Sequence, residues 1–184
     1  MATAAAPPKT VYVDGVFDLF HPGHVAFLKR ARAAGGAGAR LLAGVITDED
    51  ARWKRAPVMA HAERLAMVRH CTEVDAVVER PPLVLTDAFL DAHRVDLVVH
   101  GDDAAQAGFF AAAIARGIMA YVPYERGIST SLLIERVLAR GPEGARRGAL
   151  RRRRARLGRA RRRALLGRAH ALLRRSGRLL RRAA

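Results

Sequence analysis

Short runs rich in Val, Leu and Ile alternate with stretches of helical period along the first 140 residues, and no other feature narrows the fold as much. Val11, Tyr12 and Val13 begin a strand. A helix over 22–34 follows, and its first residue, Pro22, suits a helical turn that has no use for the missing N–H. Further strands are read at 41–47, 74–79, 95–100 and 118–122. Further helices are read at 61–71, at 86–93 with Thr86 as N-cap, at 107–116 closed by Gly117, and at 129–140 stopped by Gly141-Pro142. Strands this uniformly apolar are covered on both faces, and parallel neighbours need crossover helices. The chain is therefore read as α/β, a Rossmann-like five-stranded parallel sheet with helices on both faces. That body takes residues 10–140, with a disordered lead-in at 1–9 and a basic tail, helical or disordered, at 141–184.

In such sheets ligands bind beyond the carboxyl ends of the strands, so chemistry gathers in the strand-to-helix loops. The first loop holds Val16, Phe17, Asp18, His21 and His24, and the second runs over 48–58 with Trp53, Lys54 and Arg55. The fourth is His100-Gly101-Asp102-Asp103, and the fifth runs from Tyr124 through Gly127, Ile128 and Ser129 to Thr130. His21 and His24 stand three apart at a helix start whose open N–H groups and positive dipole end favour an anion. Such a pair can also cap a helix or ligate a metal. A zinc site wants further ligands, however, and the single cysteine, Cys71, falls in a different element, so no metal site is read. Ser129 and Thr130 set hydroxyls and N–H groups at another helix start behind Gly127, a second anion cradle. On residue type alone, Lys54 could be one more solvated cation beside Arg52 and Arg55.

The formal net charge of +16 belongs to the end of the chain. Seventeen arginines follow Gly144 with no acidic residue among them, so the 16 basic residues ahead of them face all 17 acidic ones. Leu150, Leu157, Leu165, Leu172 and Leu179 would form one stripe on a helix. The tail thus reads as a helix on an anionic membrane surface, as a solvated disordered extension, or as a nonspecific nucleic-acid binder. One cysteine gives no disulfide framework, the first ten residues lack a secretory pattern, and no apolar run is long enough to cross a bilayer. Together these point to the cytoplasm, peripheral at membranes if the tail binds them.

Residues 14–24 (DGVFDLFHPGH), 100–103 (HGDD) and 127–131 (GISTS) resemble, in order and with few gaps over about 10–138, signatures of a known family. It is the CTP-dependent cytidylyltransferases that make CDP-ethanolamine, CDP-choline and CDP-glycerol, in which the first segment carries an HxGH motif. The resemblance implies a nucleotidyltransferase that joins a phosphomonoester to the α-phosphate of CTP and expels pyrophosphate, with Mg²⁺ and as a homodimer. It implies that His21 and His24 hold the nucleotide phosphates and stabilise the pentavalent centre, and that Lys54 draws the two anions together with Asp18 at the acceptor. Val16, Phe17, His100, Asp102, Gly127, Ile128, Ser129 and Thr130 would surround the nucleotide.

The departures from the family pattern bear on specificity. Tyr124-Glu125-Arg126 stands where many members have Arg-Thr-Glu, leaving two replacements for the phosphate-binding arginine: Arg126 from two positions on, or the Tyr124 hydroxyl. Leu83 stands where choline-specific members place an aromatic ring, which removes a cation–π contact of roughly 0.5–2 kcal/mol. Residues 71–75 (CTEVD) lack the Arg-Tyr that many relatives show at a dimer contact. Ethanolamine phosphate is the acceptor this reading favours. The alternatives are glycerol 3-phosphate or choline phosphate as acceptor, an adenylyltransferase of the same superfamily, and an inactive binding protein tethered by its tail.

Overall fold

The computed structural model describes residues 8–52, 55–102 and 107–141. Among them five strands form one parallel sheet: β1 Thr10–Gly15, β2 Arg40–Val45, β3 Ala76–Val78, β4 Leu97–Gly101 and β5 Met119–Val122, in the order β3-β2-β1-β4-β5. The helices are α1 Pro22–Ala34, α2 Asp48–Ala51, α3 His61–Arg69, α4 Asp87–Ala92, α5 Ala111–Ala115 and α6 Thr130–Arg140, with a 3₁₀ turn, Ala107–Phe110, leading into α5. The chain separates into two compact units, Met1–Leu133 and Ile134–Ala184, and the whole sheet belongs to the first. Of the second, residues 134–141 are described: the later turns of α6 and Gly141.

Side chains alternate across β1 with the period of a strand. Val11 and Val13 pack with Leu28 and Ala31 of α1 and with Leu65 and Val68 of α3. Tyr12 packs in the other layer, with Leu90 of α4 and Ala113 of α5. Both faces of the sheet are therefore covered, which is why its strands read as unbroken apolar runs. Each valine or leucine among them contributes about 1.5–3 kcal/mol by leaving water.

Several boundaries differ from the sequence reading. The second strand ends at Val45 because Thr47 turns away to cap α2, its Oγ1 accepting the Asp50 N–H at 3.1 Å, so a helical turn occupies part of the expected 48–58 loop. β3 is three residues long, since only Ala76, Val77 and Val78 find partners on β2. β4 starts later than expected and runs to Gly101, which pairs with Val122. The 107–116 helix opens as a 3₁₀ turn, and α3 stops at Arg69, two residues short of Cys71. Residues 1–7 of the lead-in, 142–184 of the tail, and Trp53 and Lys54 lie outside the described residues. Among the described residues no helix is long and apolar enough to cross a membrane.

From β1 the chain moves outward to β2 on one side, while β4 lies on the other. The connections leaving β1 and β4 therefore diverge and open a crevice at the carboxyl ends of those strands.

Candidate active site

A cavity of about 470 Å³ fills that crevice. Its wall is built from the ends of β1 and β4 (Asp14, Gly15, His100, Gly101), the first loop and the start of α1 (Val16, Phe17, Asp18, His21, His24), Arg55 and Pro57 after α2, and the β5–α6 connection (Tyr124, Glu125, Ile128 to Ser131).

His21 is the N-cap of α1. Its Nδ1 accepts the Gly23 N–H at 3.1 Å, while His24 Nδ1 accepts the His21 N–H at 3.3 Å, a reciprocal cap made by two imidazoles. With both Nδ1 atoms accepting, the proton of each neutral ring resides on Nε2, which leaves an N–H donor on the opposite side of each ring. The rings stack with centroids 3.8 Å apart, and Phe17 and Phe20 flank His24 at 5.5 and 5.4 Å. Burial, with His21 as a second cause, lowers the His24 pKa to about 3, and burial lowers that of His21 as well. The pair is thus a neutral double donor rather than a double cation.

The loop that delivers them is strained: Phe17 and Leu19 hold positive φ of 52° and 47°, a region that favours glycine. Phe17 is nonetheless buried, against the edge of Gly15, where a Cβ would lie 3.3 Å from its ring. A Cβ on Gly23 would stand 3.0 Å from the His21 ring and 3.1 Å from Ile128, so that glycine lets α1 meet the β5–α6 connection.

Two buried groups tie the second loop to the first. Asp18 accepts the Val58 and Met59 N–H groups at 3.0 and 2.9 Å, with the Arg55 guanidinium 3.7 Å away, and Thr130 Oγ1 donates to the Asp18 carbonyl at 2.9 Å. Arg64, fully buried on α3, donates to Val16 O at 2.5 Å, Met59 O at 3.3 Å and Asp48 Oδ1 at 2.7 Å. This hydrogen bond holds the Asp48 carboxyl below its ordinary pKa. The first loop, the segment after Lys54 and the start of α6 thus form one assembly.

At the ends of the central strands, Tyr12 OH donates to Asp14 at 3.4 Å. Burial raises the Asp14 pKa to about 6, opposed by His100 and by this hydrogen bond. The His100 ring rests on Phe110 at 5.0 Å. The β5–α6 connection is held from two sides. Asp102 accepts the Tyr124 N–H at 2.9 Å, and Arg30 of α1 donates to Pro123 O at 3.1 Å and pairs with Glu125 at 2.6 Å. At the start of α6 the Ser129 hydroxyl caps the helix by accepting the Leu132 N–H at 3.2 Å.

Of the residues singled out in the sequence, Val16, Phe17, Asp18, His21, His24, His100, Ile128, Ser129 and Thr130 come together in the wall. Asp102 and Gly127 stand outside it, Asp102 acting on the backbone of the next connection, and Lys54 lies outside the described residues. Leu83 is half-buried and not part of the wall. The sequence reading gave no site role to Asp14, Arg55 or Ser131, all of which line the wall, and passed over the support from Arg64. An aspartate closing an apolar strand signalled the first. Nothing local distinguished Arg55 or Arg64 from solvated neighbours.

The family model described as cytidylyltransferase-like matches residues 12–136. The chain is 39% identical over 142 residues to an ethanolamine-phosphate cytidylyltransferase of Dictyostelium discoideum, covering 74% of this chain and 38% of that one. It is 37% identical over 154 residues to choline-phosphate cytidylyltransferase A of Homo sapiens, covering 81% of this chain and 42% of that one. It therefore spans less than half the length of these relatives. The fold is also that of a lipopolysaccharide core biosynthesis protein of Thermoplasma volcanium, with a TM-score of 0.53 and 23% identity, over 64% of this chain and 98% of that one.

Proposed function

Since this chain belongs to the cytidylyltransferase-like family, we propose that it transfers CMP from CTP to a small phosphomonoester, ethanolamine phosphate first, releasing pyrophosphate and a CDP-alcohol. The observation that carries the reading is one cavity walled by both anion-binding helix starts, that of α1 with its two histidines and that of α6. Choline phosphate stays as the second acceptor, because relatives named for either alcohol match about equally well.

A phosphomonoester dianion is already a competent nucleophile, so no covalent enzyme intermediate is needed. The protein's task is to bring two anions together in line and to hold the charge of the transition state. The Nε2–H donors of His21 and His24 suit oxygens of the α-phosphate and the leaving pyrophosphate, and the start of α6 suits the rest of the triphosphate. Lys54 would approach from the segment that Asp18 and Arg64 hold against the first loop, between donor and acceptor.

Mg²⁺ would arrive on the triphosphate, whose charge it offsets. Among the described residues no group of three His, Cys, Asp or Glu side chains is placed to hold a metal, and both Asp18 oxygens already accept backbone N–H groups. Homodimerisation and attachment of the tail to anionic membrane or nucleic acid belong to the same proposal. Sedimentation and vesicle flotation, with and without residues 145–184, test them.

The experiment is pyrophosphate release with Mg²⁺, comparing CTP with ATP across ethanolamine phosphate, choline phosphate and glycerol 3-phosphate. CTP-dependent turnover that is lost in His24→Ala is the expected result. Turnover with ATP alone would make the protein an adenylyltransferase, and none with any pair would favour a binding protein.

A further inference from the structure

The described wall of the cavity contains three acidic side chains, Asp14, Asp18 and Glu125, against a single fixed cation, Arg55. A nucleoside triphosphate brings about four negative charges to it. The histidine pair meets them as neutral donors, and a helix start supplies only about half a charge. Arg126 is exposed and stands outside the wall.

Arg55 is held where the demand falls. One guanidinium nitrogen donates to Ser131 Oγ in the first turn of α6 at 3.2 Å, and another lies 3.7 Å from Asp18. Asp18 is itself fixed by two backbone N–H groups, so the guanidinium is oriented before any ligand arrives. Its side chain is 42% exposed, and a guanidinium has five N–H donors, enough to keep both anchors and still grip an oxyanion.

We propose that Arg55 is a nucleotide-binding residue of this enzyme, taking a phosphate of the triphosphate beside the N-terminus of α6. The proposal rests on the cytidylyltransferase reading, and it makes Arg55, which the sequence presents as one of a solvated basic cluster, a determinant of nucleotide affinity.

Calorimetric titration of the full chain with CTP, CMP, ATP and inorganic pyrophosphate tests it, comparing wild type with Arg55→Ala, Arg55→Lys and the exposed neighbour Arg52→Ala. Loss of a charge-assisted contact predicts about 10–100-fold weaker binding of CTP and pyrophosphate in Arg55→Ala, a smaller loss in Arg55→Lys, and a change within about twofold in Arg52→Ala. CMP, with fewer phosphates, should lose less than CTP. Unchanged CTP and pyrophosphate affinity in Arg55→Ala would overturn the proposal. So would equal losses for CMP and CTP with a lowered melting temperature, the mark of a merely structural residue. Wild type that binds ATP and pyrophosphate but not CTP, with Arg55→Ala weaker for both, would keep Arg55 as a phosphate ligand and remove the cytidylyl reading. Wild type that binds none of the four would overturn both.

Discussion

Replacing Arg64 by alanine should be among the most damaging single changes in this protein. The guanidinium is fully buried and reaches three partners on three segments: Val16 O, Met59 O and Asp48 Oδ1. Alanine leaves the Val16 and Met59 carbonyls without this donor, at about 1–3 kcal/mol for each that stays buried. It also removes two methylenes, Cγ and Cδ, at about 0.8 kcal/mol apiece. Asp48, with a side chain 40% exposed, recovers water and adds little. The total is about 4–8 kcal/mol, overlapping at its lower end the roughly 3–5 kcal/mol cost of breaking buried ion pairs, and it is a large share of the ~5–15 kcal/mol that holds a domain together. Urea unfolding at pH 7 measures it as a fall in midpoint at unchanged slope. Arg64→Lys keeps the charge but satisfies fewer partners, so about half the loss is expected, with weakened nucleotide binding because Val16 lies in the cavity wall. A loss below about 1 kcal/mol in Arg64→Ala would refute the reasoning, since water would then be replacing the guanidinium at no cost.

Two further predictions follow from titrating groups. Asp14 has a folded pKa of about 6 against roughly 3.9 unfolded, so the folded state binds its proton more tightly and stability falls as pH rises from about 4 to 6. Asp14→Asn should remove that fall, being more stable than wild type by about 1–3 kcal/mol at pH 8 and indistinguishable at pH 4; urea midpoints at the two pH values check it. His24 behaves oppositely: its folded pKa of about 3 lies below the unfolded value near 6.5, so the stability it contributes is present above pH 6.5 and lost as pH falls toward 3. An oxyanion on its Nε2–H favours the protonated ring, so pyrophosphate should raise the His24 midpoint by a unit or more in ¹H–¹⁵N NMR. An unmoved midpoint would show that the ring does not meet the anion.

How much was legible in the sequence follows from the range of the forces involved. Unbroken Val/Leu/Ile runs between helical stretches revealed a covered parallel sheet because both signals are local and repeated. The pair of helix starts was visible because Pro22, His21, Ser129 and Gly127 act on their own backbones. Thr47 and Asp50 carried an equally local cap that the reading passed over, and α2 was missed with it. Arg64 and Arg55 were out of reach for a different reason: their partners Val16 and Ser131 are 48 and 76 residues away, and no pattern near either arginine announces them. The family resemblance assigned Asp102 to the nucleotide; the contact it makes with the Tyr124 N–H was not legible, since that connection is brought alongside only by the sheet order.

The positive φ angles of Phe17 and Leu19 set a selection for stability against one for activity. Glycine at either position would relieve the backbone, and a library screened for heat resistance alone should enrich it. At position 17, however, glycine deletes the ring that packs edge-on against His24, so the survivors of such a screen would drift toward a well-folded protein with an unseated imidazole. Directed evolution of this scaffold would have to retain the costly conformer and recover stability elsewhere, on the helix surfaces away from the cavity.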